Sequence, residues 1–298
     1  MAENSWFFQF PQMNDDSLRA LERAFDDGYA NFSSTYGEGI ENFFNPLLQF
    51  LIWFDNLFTG APWWLVIAAL AVIAWFASRS WKLVAGVTVA FLAIGYFGMW
   101  EDAMSTMAMI TVCTILAILI GLPVGVLMAR SDRTQAVITP ILDVMQTMPS
   151  FVYLIPVVML LGIGRVPGLI AVVVYAIPPI IRLTNLGIRL VDREVLEAAD
   201  AFGASYWQRL FGVQIPLALP NILAGVNQTI MMALAMVVIA SMIGVQGLGQ
   251  PVLRAVTNQY FALGLFNGLA IVVLAIAFDR MTQAYGRRLQ RYRQIAND

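Results

Sequence analysis

Histidine is absent from this chain of 298 residues, and cysteine occurs once. Without histidine there is no histidine-based metal or catalytic site, and Cys113, alone within an apolar run, cannot form a disulfide inside the chain. Lysine is almost as scarce. A phosphate-binding loop of the G-x-x-x-x-G-K-[ST] type needs one, and the single lysine, Lys82, follows Trp81. Any ATP hydrolysis must therefore happen on another chain. Paired catalytic carboxylates are missing too, so no catalytic or metal-binding residue is expected. Charged residues make up 12% of the chain, against about 25% in average soluble domains. The opening stretch MAENSWFFQF lacks the charged n-region and small-residue cleavage site of a secretory signal, so the first span is expected to insert the chain.

Apolar residues fill the space that charge leaves. They account for 59% of the chain and recur in runs of bilayer-crossing length, so the fold class is an all-α polytopic membrane protein. Seven candidate spans fall near 62–78, 83–100, 104–128, 137–163, 167–188, 221–243 and 261–279. The fourth and fifth are broken by Pro140, Pro149, Pro156, Pro178 and Pro179, which membranes tolerate where neighbouring helices or water satisfy the freed backbone groups. The fourth has a second description, a short interfacial helix up to Met148 followed by a span from Pro149. No internal repeat is evident, which removes the usual support for an inverted-repeat secondary transporter. Placing the amino terminus outside and the carboxyl terminus inside puts 13 of the 17 basic residues on the cytoplasmic side.

Residues 1–61 carry nine carboxylates against two cations and form no span. Leu18, Leu21 and Phe25 mark a short acidic helix that Gly28 is expected to end, and Ser33 to Gly39 resembles a loop. From Ile40 to Phe58 the apolar residues follow 3-and-4 spacing. That pattern suits a helix lying in the membrane interface, or else an irregular extramembrane segment packed on itself.

The most informative stretch is a polar island, Val191 to Pro220, followed closely by a long uncharged run. On the expected topology it is cytoplasmic. Glu194 to Ala201 is made of good helix formers, with Asp192 positioned to cap it and Gly203 able to end it in the left-handed conformation. Ser205 and Gln208 have the spacing of a capping box opening a second short helix, which Pro216 and Pro220 are expected to stop. Two short helices at an angle make a compact knob, and Ala198 and Ala199 leave it low enough to enter a groove.

Glu197-Ala198-Ala199, then three residues, Gly203, nine residues and Val213-x-Ile215-Pro216, resembles the EAA loop of ABC importer permeases. Val213 and Ile215 stand where that family has isoleucine and leucine. The segments Asp143 to Pro156, Tyr175 to Thr184, Gly225 to Thr229 and Val238 to Gly249 look like the permease subunit of glycine betaine/proline betaine importers. The resemblance runs from about Trp100 to Tyr285 and implies a type I ABC importer fold. The implied division is an acidic segment 1–61, two accessory helices in 62–100, the transmembrane domain 101–285 and a basic tail 286–298. It also implies a homodimer in the bacterial inner membrane. ATP-binding cassette subunits, carrying ATP and Mg, would dock on the loop through Glu194, Glu197, Ala198, Ala199, Gly203 and Pro216. A periplasmic or lipid-anchored binding protein would deliver an osmoprotectant. Nucleic acid is not an expected partner.

Asp143, Arg182 and Asp279 border spans, where snorkelling or pairing between helices would offset a burial cost of about 2.5–3.5 kcal/mol. Asn227, Gln228, Thr229 and Ser241 serve either as hydrogen-bonding groups between helices or as lining for the pathway. Gly244, Gly247 and Gly249 suggest a turn. Trp63, Trp64, Trp75, Trp81, Tyr96 and Trp100 suit an interfacial belt. The rival class, an ion-coupled secondary transporter, would need carboxylates at the bilayer midplane.

Overall fold

The computed structural model describes residues 12–297, and every regular element among them is helical. In chain order these are α1 (Asp15–Gly60), α2 (Trp63–Ser78), α3 (Trp81–Tyr96), α4 (Trp100–Arg130), α5 (Asp132–Thr147), α6 (Leu154–Leu161), α7 (Arg165–Ala176) and α8 (Pro178–Arg189). They are followed by α9 (Arg193–Ala201), α10 (Tyr206–Arg209), α11 (Ile215–Ala240), α12 (Gly249–Asn258) and α13 (Phe261–Asn297). The chain divides into two compact units, Met1–Pro46 and Leu47–Asp298.

In the first unit the expected break does not occur. Helix α1 runs through Gly28 and through 33–39 without interruption. Ser34 and Thr35 donate their hydroxyls to the carbonyl of Asn31, at 3.0 and 2.8 Å, so these polar residues are satisfied inside the helix. A glycine in a helix interior costs only about 1 kcal/mol, which a long helix can absorb.

In the second unit the end of α1 packs on the unit's own core. Leu51 is buried, and Leu47, Phe54 and Phe58 lie against the same cluster, so this part of the apolar face is covered by protein. After Gly60 the chain bends by 104° into α2. Four helical stretches are long and apolar enough to cross a bilayer: 100–130, 165–189, 206–243 and 261–288. The count rises to six if each of two bent pairs, 42–60 with 63–78 and 132–147 with 150–161, makes one span. Helix α3 is apolar but has only 16 residues.

Several expected spans are thereby redrawn. The stretch 137–163 is no single rod, because α5 meets the following helical turns at 110°. The break falls at Met148–Pro149, as the second of the two descriptions above has it, but the turns after it end at Leu161 and make no span alone. Its cause is that a proline forces the preceding residue into extended backbone (Met148 φ −65°, ψ 133°). The fifth span is α7 and α8 end to end, with Pro178 and Pro179 opening α8, where a missing N–H is harmless. The sixth lies within one helical stretch, 206–243, so its helix starts well before 221.

The centre of the second unit depends on close backbone approach. Gly121 and Gly125 of α4, spaced as G-x-x-x-G, face Ile180, Ile181 and Thr184 of α8. A Cβ on Gly125 would stand 2.6 Å from the Thr184 Cβ and 2.8 Å from the Ile181 carbonyl oxygen. Gly187 of α8 fits against Ala218 and Asn221 of α11 in the same way. Hydrophobic burial gives no advantage to helix over lipid in a bilayer, so packing of this closeness is what holds such helices together. The G-x-x-x-G spacing is the signal in the sequence for this contact, and it was missing from the expectations above.

Candidate coupling loop

The polar island folds into a knob. The Asp192 side chain accepts from the Glu194 N–H at 3.0 Å and opens α9. Gly203, at φ +76°, turns the chain after α9. The Ser205–Gln208 capping box is present in both directions, with Ser205 N donating to Gln208 Oε1 at 2.8 Å. These local features follow the sequence expectation closely.

One expectation fails. Pro216 and Pro220 do not stop the second helix, because α10 continues through a π-helical turn, Leu210–Gln214, directly into α11. The wider turn passes the Ile215 N–H to the Leu210 carbonyl, and Pro216 then occupies the first turn of α11, where its missing donor costs nothing. Pro220 lies inside α11.

Glu194, Glu197, Ala198 and Gly203 are exposed, Ala199 is half-buried, and Pro216 is half-buried at the base. The knob is braced by contacts that the sequence did not announce. Arg209 on α10 grips Asp200 on α9, with Nη1 3.0 Å from Oδ1 and 2.7 Å from Oδ2. The Arg130 guanidinium at the end of α4 lies 4.6 Å from the centre of the Tyr206 ring, a cation–π contact. Nearby, Arg189 ties three elements together. It bonds the Asn185 amide oxygen on its own helix (3.0 Å), Asp132 on α5 (2.7 Å) and the Met128 carbonyl on α4 (2.9 Å). Val191 and Leu210 are buried and fix the two ends of the loop.

The outer face of the knob is apolar. Phe202 is 94% exposed, and Val195, Trp207 and Phe211 are exposed beside it in sequence, with the Trp207 and Phe211 rings stacked 5.8 Å apart. A loop that holds its own aromatic rings exposed, on a braced support, has the chemistry of an interaction surface.

The other marked residues separate into different surroundings. Asn227 donates to Asp279 on α13 at 2.8 Å, and Gln283 donates to the same carboxylate at 2.6 Å. Asp143 and Arg182 form an ion pair between α5 and α8. Gln228 is exposed, whereas Thr229 is fully buried and its hydroxyl has no hydrogen-bond partner among the described residues. Ser241 donates to the Val238 carbonyl of its own turn at 2.6 Å. The four side chains therefore do not converge on one site.

A bundle of apolar helices with one braced, exposed loop is the architecture of a membrane protein that offers a surface to a second chain. The family model for the binding-protein-dependent transport system inner membrane component matches residues 117–291, and the chain belongs to this family. It is a multi-pass inner-membrane permease component and is not itself catalytic. The chain is 46% identical, over 95% of its length and 82% of the relative's, to the glycine betaine/proline betaine transport system permease protein ProW of Escherichia coli (strain K12). It is 42% identical to the glycine betaine/carnitine transport permease protein GbuB of Listeria monocytogenes serotype 1/2a (strain 10403S), over 88% of its length and 93% of that protein. In fold it resembles an inward-facing structure of the MetNI methionine ABC transporter, with a TM-score of 0.57 at 22% identity over 62% of this chain and 93% of the other. Membership of a binding-protein-dependent family displaces the secondary-transporter alternative and implies ATPase and binding-protein partners.

Proposed function

We propose that this chain is the permease of an ATP-driven importer of a small osmoprotectant: glycine betaine, proline betaine, choline, a related quaternary amine or trimethylamine N-oxide. The names of its relatives support the cargo class, and the coupling role is supported by the braced knob that keeps Phe202 exposed. In this proposal two copies of the chain form the pathway, with amino termini outside and carboxyl termini inside. Each copy offers residues 192–216 to a separate subunit that binds ATP and Mg, and the permease holds no cofactor of its own. Glu194, Glu197, Ala198, Ala199 and Gly203 make the docking surface, and Pro216 fixes the angle at which it leaves α11. The Asp200–Arg209 pair lets the knob move as one piece, so closure of the ATPases is passed to α11 through the continuous helix from Tyr206.

The direct test is uptake of radiolabelled glycine betaine in vesicles reconstituted with the permease, the ATPase and the binding protein. Uptake that needs all three supports the proposal, and uptake by the permease alone would sink it. Asn227 and Gln228 are assigned to the pathway and Thr229 and Ser241 to packing between helices. Asn227→Leu should slow uptake several-fold while the ATPase remains bound, and unchanged uptake returns Asn227 to a packing role.

A further inference from the structure

Helices α3 and α13 form a groove with an unusual division of chemistry. Leu83, Gly86, Val87 and Ala90 line it from α3, and Val273, Ile276, Ala277 and Arg280 line it from α13, each set at one-face helical spacing. Ser80 and Lys82 close the same end as Arg280. The cavity encloses about 470 Å³, a volume typical of small-molecule sites. From Ser80 to Ala90 it extends for roughly 15 Å along the helix axis, about half the thickness of a hydrocarbon core. The groove is thus apolar to the depth of one leaflet and cationic at its mouth.

Among the described residues, the two cations at that mouth are not held by carboxylates, a state they share with Arg79 and Arg130 at other helix ends. Arg165, Arg182, Arg189 and Arg209 each have a carboxylate partner, whereas among the described residues neither Lys82 nor Arg280 forms an ion pair. No carboxylate lines the groove. Asp279, next to Arg280, is engaged elsewhere by Asn227 and Gln283. Trp81, between Ser80 and Lys82 in sequence, has its ring 4.6 Å from that of Trp75, a pairing of the kind found at a membrane–water boundary. The groove is open beside Gly86, where a Cβ would meet nothing within 4 Å.

We infer that this groove is a binding site for an anionic phospholipid. Its phosphate lies between Lys82 and Arg280, and one acyl chain lies along the Gly86–Val273 channel. A soluble anion would gain nothing from the apolar wall, and a zwitterionic lipid would bring its own cation to a mouth that already holds two. The commitment is to phosphatidylglycerol or a lipid of the same charge, held by one complete transporter.

The test is lipid extraction and mass spectrometry of the intact transporter, purified from vesicles of equal phosphatidylglycerol and phosphatidylcholine. Wild type should retain phosphatidylglycerol preferentially. The double variant Lys82→Gln with Arg280→Gln should lose about thirtyfold of that preference, from about 1 kcal/mol for each of the two basic residues near anionic lipid. Gly86→Leu fills the channel without touching either charge and should lower retention of the same lipid, which separates a seated chain from diffuse attraction. Both variants should still assemble with the ATPase subunit, because neither touches the 192–216 loop. Retention unchanged in both variants, or equal retention of the two lipids by wild type, overturns the inference. So does full displacement of phosphatidylglycerol by inorganic phosphate alone, which would reduce the site to a simple anion site.

Discussion

Two glycine turns in this molecule solve opposite problems. The turn at Gly244–Gly249 is folded down onto its own chain. Leu248 is fully buried and its N–H donates to the Thr106 hydroxyl on α4 at 2.9 Å. A Cβ on Gly247 would overlap that hydroxyl and stand 3.3 Å from the Asp102 carbonyl, and one on Gly249 would stand 2.9 Å from the Val238 backbone. Arg165 adds an outer tie, bonding Gln246 while it pairs with Asp55 at 2.8 Å. The turn at Gly203 has nothing within 4 Å of its missing Cβ, and the residue before it is the exposed Phe202. One turn is finished by its own fold, and the other is left for a different chain to finish. A glycine in a left-handed turn therefore says little about function until its surroundings are known.

The contrast is sharpest where a substitution should damage one turn and spare the other. Gly247→Ala combines φ +127° with the overlap on Thr106 and should cost about 2–4 kcal/mol, seen as a sharp fall in thermal stability of the purified permease. If its melting temperature matched wild type, the close packing described here would be wrong. Phe202→Ala should leave that temperature unchanged yet weaken copurification of the ATPase by about 2 kcal/mol, or roughly thirtyfold in affinity. An undiminished ATPase yield would remove Phe202 from the docking surface. Thr106→Val strands the buried Leu248 N–H and should cost about 1–3 kcal/mol, with no effect on ATPase binding beyond the loss of folded protein. Gly203→Ala meets open space and has only backbone strain to bear, about 1 kcal/mol; a loss as large as that of Gly247→Ala would erase the distinction between the turns. Asp200→Asn weakens a partly exposed ion pair and should change stability by about 0–1 kcal/mol. Its expected signature is in coupling, as ATP hydrolysed per substrate moved; an unaltered ratio would leave Asp200 a surface residue.

What was legible in the sequence was local. Asp192, Gly203 and the Ser205–Gln208 pair act within three or four residues, so their spacing alone states what they do. The scarcity of charge and the long apolar runs made a membrane protein unavoidable, because a chain buries what it cannot hydrate. The failures also have local causes. Gly28 and the polar stretch at 33–39 have weak helix preferences that a long helix overrode, and Pro216 was absorbed by a π-turn that no propensity announces.

By itself, then, the sequence determined the class of the protein, the helical nature of its elements and the place of its polar loop. Which residues meet across the fold was decided only in three dimensions. The bond from Leu248 to Thr106 joins positions 142 apart, and the Asp55–Arg165 pair joins positions 110 apart. Whether a glycine is a contact or an opening depends on the helix that passes beside it. Gly125 and Gly86 are the same residue in similar apolar runs, yet one admits a neighbouring helix and the other leaves a groove.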